Sequence, residues 1–389
     1  MPALIAFRAV QGLGAGAVQP MSITIVGDIY TVAERAKTQG YLASVWAVSS
    51  VLGPTLGGVF SQLGIWRWVF FINIPLGLLA AFLLVRHFHE QFERRKHRID
   101  YAGAALLAVS MTLLILAVLG GGQYWAWDSW QSIGAFTVGG LLLIAFVLVE
   151  RRAAEPVLPL WVFTRPLLLW TTLIGLGIGA VLIGLTSYVP TYLEGSLGVA
   201  PIVGGLALAA LTLGWPLAAT FSGKLFYLRF GFRTTTLIGL SLVVLSAAGL
   251  ALVGQTPSVA LVAIFCFFIG IGMGLSAIPS LIAAQTSVPW HERGVVTGAN
   301  MFARSIGSAV GVAIFGALAN AVFGQNSSIE NLEPGVVVAG SSIVFIAVAI
   351  AALATWIAGV AMPKTPVAEQ NADSNGNTVP EPPAQPLRD

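Results

Sequence analysis

The amino-acid sequence predicts an all-α integral membrane protein, and three observations carry this prediction. Of the 389 residues, 57% are hydrophobic and only 9% are charged, a balance far from that of a soluble domain. The apolar residues fall in stretches of about 20, the length of a helix that crosses a bilayer. The loops between these stretches alternate between basic and non-basic, which is typical of membrane helices with a fixed orientation.

Eleven membrane-spanning helices are predicted, at residues 3–26, 40–63, 68–86, 101–121, 132–149, 167–193, 199–222, 234–254, 258–284, 296–322 and 338–361. Of the 19 Lys and Arg residues, sixteen lie in alternate loops or in the tail, whereas the intervening loops hold only Arg67. The positive-inside rule therefore places the basic loops and the C-terminus in the cytoplasm, and the first span enters from outside. The pI near 9.2 arises from these loops, and no nucleic-acid-binding pattern accompanies it.

The second predicted span, 40–63, holds a cluster of helix-distorting residues. Gly53 and Pro54 form a pair that removes a backbone donor, and Gly57 and Gly58 follow within one turn. Small residues at this spacing allow a neighbouring helix to approach within van der Waals contact. In lipid the neighbouring helices satisfy the freed carbonyl group, so we expect a bend in a tightly packed bundle that can move.

The third predicted span begins behind an aromatic anchor. Trp66, Arg67 and Trp68 form a cluster that is typical of the membrane–water interface. The span that follows contains Asn73 and Pro75, which mark a further interruption of regular helix. We therefore expect the second and third spans to form a closely packed pair.

Residues 87–100 and 363–389 are polar segments outside the spans. The first contains His87, His89 and His97, for which a metal site and a solvated basic loop are both conceivable. The positive-inside rule favours the loop, so no metal site is predicted. The second segment is rich in Pro, Asn, Gln and charged residues, and we expect it to be disordered.

The chain repeats itself at an offset of 258 residues. Several glycines and one Glu-Arg pair in a loop coincide at this single offset, which is hard to obtain by chance. The pairs are Gly12 with Gly270, Gly14 with Gly272, Gly16 with Gly274, Glu34-Arg35 with Glu292-Arg293, Gly40 with Gly298, Ser49 with Gly307, Gly53 with Gly311, and Gly58 with Gly316. A parallel repeat of two helical halves is a transporter architecture.

Four motifs resemble those of the major facilitator superfamily. Residues 4–15, which read L-x3-R-x2-Q-G-x-G-A, are similar to its fourth-helix motif. Residues 40–58 resemble its antiporter motif in the fifth helix, with Ser49 in place of a usual glycine. Residues 223–233 are similar to the cytoplasmic loop motif between the second and third helices of a half. Residues 66–77 resemble the signature of the fourteen-helix drug:proton antiporters of the EmrB/QacA type.

The resemblance implies a domain organisation: 1–86 as helices 4–6 of the N-terminal half, 87–100 as a cytoplasmic loop, 101–150 as two inserted helices, 151–362 as the C-terminal six-helix half, and 363–389 as a disordered cytoplasmic tail. Eleven of fourteen helices are then present, and the chain is expected to be incomplete at its N-terminus. The family carries a coupling carboxylate in its first helix. We expect that group upstream of Met1, because no Asp or Glu lies deep within a span.

The implied function is secondary active transport, with export of hydrophobic or cationic small molecules such as drugs in exchange for protons by alternating access. Two alternatives stay open, which are another transporter of the superfamily acting on metabolites and a non-functional truncated copy. An enzyme is not expected, since the spans lack clustered His, Asp or Glu. The expected partners are the substrate, protons and the lipid bilayer of the inner or plasma membrane, with no cofactor and no nucleic acid. Membrane-fusion and outer-membrane partners are left open.

Two arginines, Arg8 and Arg304, lie inside apolar spans, where a charge is costly unless it meets a partner or faces a cavity. We assign them to the proton-coupling and transport pathway, together with Gln11 and Asn300. Arg8 has the stronger case, because the resemblance ties its counterpart to proton coupling. The alternative is that each arginine only satisfies carbonyl groups of a broken neighbouring helix.

Three further groups of site residues are expected from the resemblance and from residue chemistry. Helix packing through the antiporter motif involves Gly40, Gly53, Pro54, Gly57 and Gly58. The cytoplasmic gating loop involves Gly223, Lys224, Arg229 and Arg233. Aromatic faces hold cations, and amides form hydrogen bonds, so the candidate substrate-cavity residues are Trp46, Tyr188, Tyr192 and Gln285. Each of these four is alternatively a lipid-facing or packing residue.

Overall fold

The computed structural model describes residues 2–30, 34, 38, 41–42, 44–45, 48–49, 52, 56, 60, 63–65, 67–87, 100–121, 125–153, 156–323 and 333–364. Within these ranges the regular secondary structure is helical, apart from one isolated bridge between Gly121 and Trp125. Most of the predicted span 40–63, the loop 88–99 and the tail from residue 365 lie outside the described residues.

Ten long helices make up most of the described chain: α1 Pro2–Ile29, α2 Asn73–His87, α3 Tyr101–Gly120, α4 Trp130–Glu150, α5 Pro166–Leu197, α6 Pro201–Phe221, α7 Phe232–Val253, α8 Val259–Thr286, α9 Arg293–Phe323 and α10 Pro334–Ala361. Short helices at Trp68–Phe71, Trp161–Thr164 and Leu228–Phe230 lie between them. A π-helical segment, Ser222–Tyr227, follows α6, and a 3-10 turn, Trp290–Glu292, precedes α9.

Nine segments of the described chain are long and apolar enough to cross a membrane, which confirms the prediction of an all-α membrane protein. They are Trp68–Arg86 and the eight helices from α3 to α10. Each agrees with a predicted span to within four residues at either end. The helix α1 also forms where a span is predicted but is not among the nine.

Local sequence explains where several helices begin and end. Asp100 and Ser129 cap α3 and α4, since their side chains accept hydrogen bonds from the backbone N–H groups of Gly103, at 2.8 Å, and Ser132, at 3.3 Å. Proline, which lacks the N–H that a first turn leaves unpaired, stands at the start of α5, α6 and α10. Gly198 ends α5 in the left-handed region, at φ +62°.

The six helices α5 to α10 pack into one bundle. Within it α5 lies against α9 and α10, while α8 lies against α6 and α7. Its core includes large side chains that are fully buried, among them Tyr192, Phe345 and Met273. On the outside, apolar residues such as Leu252 and Leu245 are 81% and 70% exposed, as expected for a surface that faces lipid.

A separate hairpin of α3 and α4 packs against α9 through α3. Its open end, where α3 begins and α4 ends, holds a polar contact that the sequence reasoning missed. Glu150, only 3% exposed, accepts a hydrogen bond from the backbone N–H of Leu158 at 2.5 Å. A Cβ atom at Gly103 would overlap the Asp100 carboxylate and lie 2.9 Å from Glu150 Oε2, so the glycine makes room for both carboxylates.

The repeat at an offset of 258 residues is visible in the helices α1 and α8. Both are 28 residues long, and both carry three glycines at the same spacing. In α8 these glycines contact neighbouring backbone: a Cβ at Gly272 would lie 2.5 Å from the Gly239 carbonyl oxygen, and one at Gly270 would overlap that of Leu211. In α1 no such heavy atom of the described residues is found within 4 Å of the corresponding Cβ positions, at Gly12, Gly14 and Gly16.

The paired glycines lead to a stability prediction. Gly270→Ala should lower the free energy of unfolding by about 1–3 kcal/mol, because the new methyl group meets the backbone of Leu211. The equivalent change in the other repeat, Gly12→Ala, should cause no loss, since its methyl group meets no atom of the described residues. Thermal unfolding of the purified protein, followed by tryptophan fluorescence, measures both. Equal melting temperatures for the two variants would contradict this packing.

Candidate functional site

A polar row on α9 faces α5 inside the bundle. Asn300, Arg304 and Ser308 are spaced four residues apart, which places them on one side of the helix. The Asn300 side-chain amide donates to the Thr171 carbonyl oxygen at 2.9 Å. The Ser308 hydroxyl donates to the Gly179 carbonyl oxygen at 3.1 Å. These two bonds tie α9 to α5 one turn before and one turn after Arg304.

Glycines bring the two backbones into contact along this row. A Cβ atom at Gly179 would overlap the carbonyl oxygen of Arg304. A Cβ atom at Gly307 would in turn overlap the carbonyl oxygen of Leu176. Small residues allow such an approach between membrane helices, and the hydrogen bonds then fix the relative position of α5 and α9.

The side chain of Arg304 leaves this contact and reaches α6. Its guanidinium lies over the Trp215 ring, 4.8 Å from the ring centroid, which is a cation–π contact. Arg304 is the twelfth residue of α9, about 16 Å along the helix and near the middle of a bilayer. The helices α6 and α9 are not packed extensively on each other, although both pack on α5 and α8. Arg304 therefore bridges two helices that other helices hold apart.

The polar row continues toward the start of α9. Gln285, at the end of α8 and 3% exposed, donates from its side-chain amide to the Thr297 hydroxyl at 2.8 Å. Thr297 donates in turn to the carbonyl oxygen of Arg293 at 2.8 Å. Gln285 thus joins α8 to α9 about one turn before Asn300 joins α9 to α5, and both are expected site residues. The sequence reasoning missed Thr297, which is a common residue in apolar helices and gives no separate signal.

The two tyrosines expected in the substrate cavity have different environments. Tyr192 is fully buried, donates to the Gly254 carbonyl oxygen at 2.9 Å, and makes an edge-on contact with Phe345 at 5.2 Å between ring centroids. These contacts give it a packing role in the core. Tyr188 is half-buried, and its hydroxyl lies 3.8 Å from a Cβ position at Gly316.

Arg8 and Gln11 contact each other on α1. Arg8 donates to the Gln11 side-chain oxygen at 3.0 Å, and its guanidinium lies 5.1 Å from the centroid of the Phe70 ring. Both side chains are exposed in the described structure. None of these described contacts involves Asn300 or Arg304, so Arg8 and Arg304 lie in separate groups within the part of the chain that the structure describes.

The expected gating loop is held at one point by α10. Arg233 donates to the Val360 carbonyl oxygen at 2.6 Å, near the end of that helix. Arg229 is exposed, with its guanidinium 5.4 Å from the Phe230 ring centroid. Gly231 has φ +81°, a conformation that side-chain-bearing residues rarely adopt. The backbones of Gly223 and Lys224 lie in the π-helical segment, and the side chain of Lys224 is not among the described ones.

Six of the expected site residues lie outside the described residues: Gly40, Trp46, Gly53, Pro54, Gly57 and Gly58. The same holds for the side chains of His87, His89 and His97. Among the side chains that the structure does describe, no group of three or more His, Cys, Asp or Glu is arranged to hold a metal ion.

Comparison with known sequences gives a family match and a set of relatives. The family profile described as Major Facilitator Superfamily matches residues 1–98 and 88–312. Multidrug resistance protein 3 of Bacillus subtilis (strain 168) is 35% identical over 327 residues, which are 83% of this chain and 63% of that protein. Multidrug transporter protein MdtP of the same strain is 32% identical, over 84% of this chain and 60% of that protein.

A fungal relative extends the comparison. MFS-type efflux pump LUC4 of a Fusarium species is 30% identical over 351 residues, which are 86% of this chain and 60% of that pump. The chain thus spans between 60% and 63% of the length of these three curated relatives.

The contact between α5 and α9 can be tested through Asn300. Asn300→Ala removes the buried hydrogen bond to the Thr171 carbonyl group and should lower the free energy of unfolding by about 1–2 kcal/mol. Ser305→Ala is the control on the same helix, because among the described residues its exposed hydroxyl bonds within α9, to the carbonyl group of Met301. Thermal unfolding compares the variants. An unchanged melting temperature for Asn300→Ala would show that this bond does not hold the helices together.

Proposed function

Because the chain belongs to the major facilitator superfamily, we propose that it exports hydrophobic or cationic small molecules across a membrane in exchange for protons, by alternating access. The observation that carries the proposal is the polar row of α9, with Arg304 at its centre, inside a bundle of membrane-spanning helices. Polar and charged groups in such a position mark a transport pathway by default. Relatives that cover more than four-fifths of the chain are named as multidrug or efflux proteins, which supports export of drug-like compounds.

The helix α9 is suited to carry movement between the two halves. It packs on α5 within the second half, and it also contacts α1 and α3 from the preceding segments. Near its start, Thr24 Cγ2 lies 4.0 Å from a Cβ position at Gly294. In the proposed mechanism α9 and α5 move as one unit, since backbone contact and hydrogen bonds join them.

An ion pair at the start of α5 adds a further link to α9. Arg165 contacts Glu292 at 3.0 Å and joins the first residues of α5 to the turn before α9. Arg165 also lies over the Trp161 ring, 4.3 Å from its centroid. Both charged side chains remain partly exposed, so the pair adds only a weak link between two helices that move together.

Proton coupling is proposed for the group on α1. Arg8 and Gln11 are hydrogen-bonded one turn apart, and the family resemblance ties the counterpart of Arg8 to coupling. In the fourteen-helix branch, to which we propose that the chain belongs, the hairpin of α3 and α4 corresponds to the two inserted helices. A metabolite transporter of the same superfamily and an inactive copy are the remaining candidates, and a transport assay separates them.

The first prediction from this proposal concerns transport. In cells that carry the intact gene and are loaded with ethidium, the wild-type protein should lower cell fluorescence when a proton gradient is imposed, and Arg8→Ala should abolish that effect. Arg8→Lys should keep a part of it, because lysine retains the charge without the fork geometry. Arg152→Ala, which removes an exposed loop arginine, should transport normally. Wild-type cells that retain ethidium under the gradient would contradict the proposal, and normal efflux by Arg8→Ala would make that residue structural.

The second prediction concerns orientation in the plasma membrane. The Lys/Arg asymmetry places Asp128 outside the cell and Arg151 inside it. In a Cys266→Ser background, an impermeant maleimide applied to intact cells should label Asp128→Cys and leave Arg151→Cys unlabelled until the cells are broken. The reverse pattern would invert the topology and place the C-terminus outside.

A further inference from the structure

Arg304 carries a charge that the described protein does not neutralise. Its guanidinium contacts the Trp215 ring. It makes no hydrogen bond or ion pair with any of the described residues. A guanidinium has five N–H donors in a fixed planar fork, so most of its bonding capacity is unused. With respect to the described residues, the fork is therefore available to bind a group that accepts hydrogen bonds.

The spans described by the structure offer no carboxylate near Arg304. Their acidic residues lie at helix ends: Glu150 closes α4, and Glu194 stands near the end of α5. Gly179, which contacts the backbone of Arg304, precedes Glu194 by fifteen residues, or about 22 Å along the helix. A counter-ion for Arg304 at this depth has to come from outside these helices.

The surroundings combine this charge with apolar surface. Trp215 is half-buried and packs against both large apolar clusters of the bundle. The bonds of Asn300 and Ser308 to α5 hold the backbone of Arg304 in place from both sides. A fixed cation beside an indole ring and apolar side chains is complementary to a molecule that has an acidic group at one end and an aromatic ring at the other.

We infer that Arg304 and Trp215 form a binding site for an amphipathic organic anion, with the carboxylate on the guanidinium fork and the aromatic ring beside the indole. The inference rests on the proposed transport function, because it names a substrate class for the same pathway. A cationic compound is repelled by Arg304 and has to bind elsewhere in the protein. Binding of the anion itself needs no proton gradient, so it can be measured apart from transport.

The test compares three probes that share one skeleton. Pyrenebutyrate is anionic, pyrenebutyramide is neutral, and pyrenylbutyl-trimethylammonium is cationic. Each is titrated with the 389-residue protein in nanodiscs of phosphatidylcholine, and binding is followed by fluorescence anisotropy after subtraction of empty nanodiscs. The wild-type protein should bind pyrenebutyrate about tenfold more tightly than the amide, as a charge-assisted bidentate contact requires, and the cation more weakly than either.

Three variants assign the preference to its residues. Arg304→Gln should reduce the affinity for pyrenebutyrate to that for the amide, and Arg304→Lys should keep a part of the difference. Trp215→Leu should weaken all three probes, because it removes the ring on which the pyrene packs. Arg152→Gln removes the same charge from an exposed loop and should leave all affinities unchanged.

Equal binding of the anion and the amide by the wild-type protein would overturn the inference, and so would tighter binding of the cation. Both results are measured on the wild-type protein, so neither depends on the folding of a variant. A preference for pyrenebutyrate that persists in Arg304→Gln would also overturn it. Ethidium efflux without any preference for the anion would refute this site while the proposed export function stands. If the protein prefers pyrenebutyrate in a way that depends on Arg304 but transports no ethidium, the result would support the binding site and not the proposed export function.

Discussion

No water reaches the backbone inside a bilayer, so every peptide N–H and C=O group has to be satisfied within or between helices. The bundle of α5 to α10 follows from this constraint. Helices satisfy their own backbone, and glycines such as Gly179 and Gly307 then let two of them meet without side chains between. Serine and asparagine side chains at the same contact donate to carbonyl groups of the neighbouring helix. These directional bonds fix the position of one helix relative to the other.

The candidate site depends on that close contact. Because α5 and α9 touch through their backbones, the long side chain of Arg304 has no room on the α5 side and extends to Trp215 on α6. A cation is thereby placed near the middle of the span, where its electrostatic field is screened least. The same few residues thus determine both how α5 packs on α9 and where the Arg304 guanidinium lies. A substitution that changes this packing therefore also changes the position of the charge.

The positions of the helices were predicted well from the sequence, whereas the residues that contact one another between helices were predicted poorly. A charge-free apolar run has one stable form in lipid, so the nine described spans lie within four residues of their expected positions. Arg304 and Asn300 stood out because polar groups are rare in such runs. Thr171 and Trp215 did not, since they lie more than eighty residues away in the chain and only the fold brings them close. The contacts of the Gly53–Gly58 cluster stay predictions, because those residues are outside the described ones.

The π-helical segment Ser222–Tyr227 has a consequence for the helix that precedes it. A π turn contains one residue more than an α turn. Its conversion to an α turn would therefore shift the adjoining helix by one residue. If that turn became α-helical, the extra residue would pass into the adjoining helix. The end of α6 would then advance by about 1.5 Å and rotate by about 100°. Since α6 carries Trp215, such a step at the membrane surface would turn the indole ring relative to Arg304, deep in the bundle.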